Sequence, residues 1–152
     1  MRAHVVVACL ASSLLVSSAV AQQEPIRPDS PEWHELFDPP FPQPQEIPSS
    51  SPLRKELFEL LRPAIARLAK RPVRFEGTLR AFKNWAFFSG STVNEHGASV
   101  RFPPIDNSDT VALWLRTRAG WRLVDYRAGV ADVFYEIWAE QYGTPRELLG
   151  VR

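Results

Sequence analysis

Arginine and tryptophan residues in the C-terminal half of the chain are the strongest candidates for a chemical role. Arginine binds anions through its charge and its planar fork of donors, and an indole ring stacks on flat groups. A turn at Ala119 and Gly120 would join two predicted strands and bring these residues onto one hairpin. The sequence therefore predicts a binding surface for a protein or an anionic envelope component. Its candidate residues are Trp114, Arg116, Arg118, Trp121, Arg122 and Arg127. The alternative is that the arginines beside the turn only keep a strand edge soluble.

Residue types that commonly catalyse reactions or bind metals are sparse. His34 and His96 lack the spacing of a metal-binding pair, and the sequence contains no phosphate-binding loop, dinucleotide-binding fingerprint or serine-nucleophile elbow. Residues 106–109 bring hard oxygen ligands together, but side-chain-capped turns explain them better. Glu136 and Glu140 lie one helical turn apart, a spacing typical of a solvated helix face. We expect no catalytic, cofactor or metal site, and the sequence favours a binding domain over an enzyme.

The N-terminus has the pattern of a secretory signal peptide. A short basic start precedes an apolar stretch, and the small residues Ala19 and Ala21 predict cleavage after residue 21. A retained membrane anchor and a lipoprotein processed at Cys9 are the alternatives. Cys9 is the only cysteine, so the processed chain can form no disulfide. We expect a periplasmic or secreted protein with no stable membrane span after signal removal, for which nucleic acid is not an expected partner.

Residues 22–51 form an acidic, proline-rich segment without glycine. It contains six acidic residues and one arginine, whereas residues 52–152 contain sixteen basic and eleven acidic residues. Proline favours an extended, semi-rigid chain, so we predict a spacer with one short helix over residues 30–37. The apolar face of that helix would consist of Trp33, Leu36 and Phe37. We hypothesise that this face docks on the basic domain; the alternative is a hook for another protein.

The rhythm of apolar residues predicts one α+β domain over residues 52–152. Apolar spacings of three and four residues predict a helix over residues 52–70, with a kink or break near Leu60 because Pro63 lies inside it. A second apolar stripe at helical spacing ends at Gly143; its members are Val133, Phe134, Ile137, Trp138 and Tyr142. Alternation of apolar and polar residues, together with the turn signals Lys83-Asn84 and Ala119-Gly120, predicts the strands between the two helices. These strands are residues 73–81, 85–90, 110–118 and 121–127, with a short additional one at 99–102.

Every predicted strand connection is too short for a crossover. We therefore predict an antiparallel sheet of four to five strands, covered on one face by an N-terminal and a C-terminal helix. The alternative to a surface-binding domain is a small-molecule binder or unrecognised enzyme with a pocket between the sheet and its helices. Such a pocket would be lined from among Phe75, Phe87, Trp114 and Trp138.

Several short motifs resemble a group of uncharacterised exported bacterial proteins. They are Trp85-Ala86-Phe87, residues 121–126, Gly129, Asp132-Val133, Trp138-Ala139 and Tyr142-Gly143 followed by Pro145. This resemblance covers about residues 52–149 and implies an exported bacterial product without lending a catalytic residue. The order of a helix followed by a curved sheet is also similar to nuclear-transport-factor-like and cystatin-like folds, of which the first often encloses an apolar pocket.

Overall fold

The computed structural model describes residues 40–130 and 134–150. The predicted signal peptide, the short tail helix with Trp33, Leu36 and Phe37, and Val133 lie outside these residues. The elements in chain order are β1 (Phe41–Glu46), α1 (Pro52–Ala69), β2 (Arg74–Lys83), β3 (Trp85–Val93), β4 (Asp109–Thr117), β5 (Gly120–Ala128), a 3-10 turn (Phe134–Glu136), α2 (Ile137–Tyr142) and α3 (Arg146–Leu149).

The five strands form one antiparallel sheet in the order β1-β2-β3-β4-β5. Two-residue loops join β2 to β3 and β4 to β5, since Phe82 pairs with Trp85 and Thr117 pairs with Gly120. Lys83 adopts a positive φ of 54° in the first of these loops, as tight hairpin turns require of at least one residue. The predicted antiparallel α+β architecture is confirmed.

The fifth strand comes from the segment predicted to be a spacer. β1 pairs with β2 through Phe41 with Lys83 and Glu46 with Arg80, and Ile47 donates its backbone N–H to the Leu79 carbonyl at 2.8 Å. Prolines occur in β1 because an edge strand has backbone groups that need no partner in the sheet. The predicted short strand at residues 99–102 is wrong: that segment is a loop with isolated bridges at its two ends.

Helix α1 is fastened to the sheet by two arginines. It begins directly after Ser51 and is continuous through Pro63, so of the predicted kink or break near Leu60 the break is absent. Arg54 donates to the backbone carbonyls of Ile47, at 3.2 Å, and of Gly77, at 2.6 Å. Arg62 donates to the carbonyl of Val73. These bonds satisfy carbonyls beside β1 and β2 while the helix buries Leu57, Phe58, Leu61 and Ile65 against the sheet.

Helices cover both faces of the sheet, so the prediction that they share one face is wrong. The core beneath α1 contains Ala86 and Phe88 of β3, whereas Phe87 belongs to the core beneath α2 and α3, with Trp138, Leu148 and Leu149. The physical reason is visible in β3, where residues 85–88 are apolar without a polar residue between them. A strand of this kind must be buried on both sides. Ile137, predicted to lie in the buried stripe, is 48% exposed.

The sheet curls around α1 until its two edges approach each other. The rings of Phe41 in β1 and Trp121 in β5 have centroids 6.4 Å apart, although a flat sheet would separate the outer two of five strands by about 19 Å. Gly77 and Gly90, which pair across β2 and β3, permit close backbone packing. A Cβ on Gly90 would lie 2.2 Å from the Glu76 carbonyl oxygen. Glycines at such positions are typical of strongly curved sheets.

The burial of Ile47 allows the contribution of β1 to be tested. Replacing Ile47, which is 5% exposed, by alanine should lower the free energy of unfolding by about 2–5 kcal/mol because it leaves a cavity beneath α1. Gln43→Ala, at an exposed position of β1 itself, should change it by less than about 0.5 kcal/mol. Urea denaturation measures both values. Equal stabilities for the two variants would mean that β1 does not belong to the cooperative unit.

Candidate functional site

A cleft lies on the face of the sheet that carries α2 and α3. It has a volume of about 370 Å³. Its lining residues are Ser89, Gly90, Ser91, Asp109, Val111, Val130 and Tyr135. We refer to this feature as the cleft.

The strand register explains why the cleft forms where it does. One row across the sheet contains Phe87 and Leu113, and Trp138 and the leucines of α3 pack over it. In the next rows, Ser89 pairs with Val111 and Ser91 pairs with Asp109. Every second side chain of a strand lies on the same face, so the successive positions of β3 on this face are Phe87, Ser89 and Ser91. Small side chains beyond the helices leave the space that becomes the cleft.

Carboxylates lie on both sides of Ser91. Asp109 is its partner on β4 and Glu76 is its partner on β2, so the three share one row of the sheet. Both acidic residues are exposed. The Asp109 carboxylate accepts a hydrogen bond from Asn107 Nδ2 at 3.2 Å, and the same amide donates to the Val130 carbonyl at 2.7 Å. The loop before β4 therefore holds this carboxylate at the cleft.

One wall of the cleft is aromatic. Tyr135, in the 3-10 turn before α2, packs against Phe87 with ring centroids 4.9 Å apart and an interplanar angle of 50°. Phe87 in turn meets Trp138 edge-on at 6.2 Å. A half-buried ring packed against a buried one is a rigid surface on which a ligand can rest.

A buried carboxylate lies on the same face of the sheet as the cleft, on the next strand. Asp125 of β5 accepts hydrogen bonds from Trp138 Nε1 at 3.1 Å and from the Tyr142 hydroxyl at 3.0 Å. Arg127 Nη1 and the backbone N–H of Tyr126 donate to its other oxygen, at 2.5 and 2.7 Å. We call these four side chains the Asp125 network; it joins β5 to α2.

A bulge in β5 places the Asp125 side chain on this face. The register shifts between Leu113, which pairs with Asp125, and Trp114, which pairs with Leu123, so Val124 is an extra residue. Val124 accordingly packs into the core beneath α2 and α3, on the same side as Asp125. Bulges commonly redirect a side chain in this way.

The Asp125 network alters the titration of Tyr142. Its hydrogen bond to Asp125, then burial and the negative charge of Asp125, raise the pKa of this phenol, while Arg127 and Gln141 act in the opposite direction. A raised pKa in the folded chain means that the stabilisation is present below the ordinary pKa of tyrosine. It is lost as the pH rises through the raised value.

The predicted arginine and tryptophan residues do not form one surface. Trp114 is completely buried in the row of the sheet that α1 covers. The prediction that it belongs to a binding surface is therefore wrong. Arg127 lies on the opposite face and forms an ion pair with Asp125. The remaining four residues, Arg116, Arg118, Trp121 and Arg122, do lie together at the end of the β4–β5 hairpin. Arg116 pairs with Trp121 on the α1 face, the exposed Arg118 lies in the turn, and the exposed Arg122 pairs with Leu115 on the opposite face.

The residues proposed for an apolar pocket are also divided between the two cores. Phe75 and Trp114 belong to the core beneath α1, and Phe87 and Trp138 belong to the other. All four are buried, and the sheet separates the two pairs. Apart from Asp109, which belongs to the segment of residues 106–109, the cleft is lined by residues that the sequence did not single out. The available signal was the change within β3 from consecutive aromatic residues to Ser89-Gly90-Ser91.

The remaining candidates have local structural roles. His96 is exposed and its backbone N–H donates to Asn94 Oδ1 at 2.9 Å, while His34 lies outside the described residues. Glu140 and Arg146 are exposed and 3.9 Å apart. Asp106 pairs with Arg101 at 3.3 Å. Within residues 40–130 and 134–150, no group of three or more His, Cys, Asp or Glu side chains could hold a metal ion.

Comparison with models of protein families, with curated proteins and with solved structures found no match. Among the helices that the structure describes, none combines the length and the hydrophobicity needed to cross a membrane.

The Asp125 network predicts a measurable loss of stability. Asp125→Ala should lower the free energy of unfolding by about 1–3 kcal/mol, because the buried indole N–H of Trp138 loses this acceptor. Asp125→Asn, which keeps an acceptor oxygen, should cost less. Glu140→Ala, which alters an exposed carboxylate of α2, is the control and should change stability by less than about 0.5 kcal/mol. Ultraviolet titration should also show the Tyr142 pKa falling in Asp125→Asn; an unchanged tyrosine titration would contradict the assignment.

Proposed function

We propose that this chain is an exported, non-enzymatic binding domain whose ligand occupies the cleft. The observation that carries this proposal is the change from bulky to small hydroxyl side chains in β3, which leaves a cleft of about 370 Å³ beside a tightly packed core. A cleft that combines an aromatic wall with a few fixed polar groups is typical of small-molecule sites. This proposal takes the place of an arginine-bearing binding face, because Trp114 is buried and Arg127 lies on the opposite face from Arg116 and Trp121.

The chemistry of the lining indicates the class of ligand. Ser89 and Ser91 can both donate and accept hydrogen bonds. An ionised carboxylate such as that of Asp109 has acceptor oxygens and no donor. Glu76 adds a second carboxylate in the same row as Ser91. Acceptors with negative charge favour a ligand that carries hydroxyl groups and a protonated amine, and they disfavour an anion. We therefore propose a small polyhydroxylated ligand, with an amine bound better than a carboxylate.

Binding can be tested with three sugars that share one ring and differ in charge. Glucosamine, glucose and glucuronate are titrated into the isotopically labelled protein at a slightly acidic pH, where the amine is protonated. We expect saturable NMR shifts at the amides of Ser89, Ser91 and Asp109, with affinity decreasing from glucosamine to glucose to glucuronate. Asp109→Asn should reduce the preference for glucosamine by about two- to fivefold, the effect of one exposed charge pair.

Asp106→Asn is the matched control for this experiment. It removes an equal charge three residues away, where the carboxylate pairs with Arg101 instead of lining the cleft. Its affinities should equal those of the unchanged protein. Tightest binding of glucuronate, or the absence of saturable shifts at the cleft with all three sugars, would overturn the proposed ligand class. Conversion of a sugar during the titration would contradict the non-enzymatic part of the proposal.

The order of elements supports one of the two fold resemblances. A strand and then a helix precede four consecutive antiparallel strands that curl around the helix. This order favours the cystatin-like over the nuclear-transport-factor-like resemblance. It adds no activity, because one fold can support many functions.

Export is the part of this proposal that the N-terminal pattern supports, and it predicts the mass of the mature protein. Expression of the full chain in a bacterium should yield a product that begins at Gln22, in the periplasm or the medium. Ala21→Arg should leave the precursor uncut because the cleavage site requires a small residue, whereas Gln23→Arg should be processed normally. Intact-mass spectrometry distinguishes the products. A membrane-bound product that begins at Cys9 would contradict this cleavage site.

A further inference from the structure

We propose that the acidic segment of residues 22–39 binds the basic end of the sheet in the same chain. We define this basic end as Lys83, Arg116, Arg118 and Arg122, located at the tips of the two hairpins. The tips are adjacent, since the backbone N–H of Arg116 donates to the Asn84 carbonyl at 2.8 Å. This contact is distinct from the cleft, which lies towards the other end of β3 and β4.

The position of β1 brings the acidic segment to this end of the molecule. Phe41, at the start of β1, pairs with Lys83 and packs against Trp121 across the curl of the sheet. Phe41 follows Phe37 by four positions, so the chain can carry Phe37 no further than about 14 Å from it. Phe37, with Trp33 and Leu36 just before it in the sequence, is therefore tethered within reach of the basic end.

Charge complementarity favours this site. Residues 22–39 contain five acidic residues and one arginine. Within the described part of the chain, no carboxylate forms an ion pair with Arg116 or Arg122. Such attraction is screened over about 8–10 Å at physiological salt, so it acts only on a segment held close by.

Two half-buried tryptophans supply the apolar part of the contact. Trp121 lies next to Phe41 on the α1 face, and Trp85 pairs with Leu115 on the other face. Both rings remain partly exposed at the hairpin tips. A tethered segment needs only weak contacts to stay bound, because its effective concentration is high. Trp33, Leu36 and Phe37 of the acidic segment can therefore bind beside these rings. The carboxylates of the same segment would then lie towards the arginines.

A spin label tests this contact in the full chain. Cys9→Ala removes the native cysteine, and Ser30→Cys then provides a unique site for a nitroxide in the acidic segment. We expect the amide signals of Thr117, Ala119 and Gly120 to lose more than half of their intensity. The amides of Leu68 and Lys70, at the end of α1, should keep theirs. Raising the salt concentration should restore the signals of the hairpin.

Charge reversal on each partner identifies the interaction. Arg116→Glu with Arg122→Glu should lower the docked population about fivefold, whereas Arg67→Glu with Arg71→Glu, an equal change at the exposed end of α1, should not alter it. Glu32→Lys with Glu35→Lys should reproduce the loss without touching the folded domain. The proposal would be overturned if the amide of Leu68 lost intensity and those of the hairpin did not. It would also be overturned if the intensities of the hairpin amides were the same in all of these variants as in the unchanged protein.

Discussion

The central strands β3 and β4 are buried on both faces, and the rest of the structure serves to keep water from them. Ala86, Phe88 and Trp114 require cover on one side, and Phe87 and Leu113 require it on the other. One long helix and the curl of the sheet supply the first cover. Two short C-terminal helices supply the second. A sheet with two apolar faces has no stable arrangement with only one layer of helix.

The two covers differ in extent, and this difference produces the cleft. Helix α1 has 18 residues, whereas α2 and α3 have six and four, so the C-terminal cover is much the smaller of the two. The Asp125 network marks the limit of that cover, because it fastens α2 to β5 through Trp138 and Tyr142. Beyond this limit the exposed rows contain hydroxyl and carboxylate side chains, which tolerate contact with water. Stability and the opportunity for binding therefore arise from neighbouring rows of the same sheet.

Local patterns predicted the local elements, and they did not predict features that depend on register. Alternation of apolar and polar residues identified β2 and β4, turn signals identified the hairpins that lead into β3 and β5, and Ser51-Pro52 identified the start of α1. The prolines around Phe41 concealed β1, because a strand at the edge of a sheet tolerates what a central strand excludes. The cleft depends on Ser91 pairing with both Glu76 and Asp109, three residues from three different strands. A bulge that adds one residue to β5 likewise cannot be read from periodicity alone.

The prolines of β1 also affect how two copies of this protein can associate through the edges of their sheets. An edge strand displays unpaired backbone groups, which can recruit a strand from a second molecule and begin ordered fibre growth. Pro42 and Pro44 have no N–H, so two of the six residues in β1 cannot donate a hydrogen bond to such a ladder. The same residues that make this segment resemble a spacer thus allow it to complete one edge of the sheet while limiting the pairing that this edge offers to a second molecule.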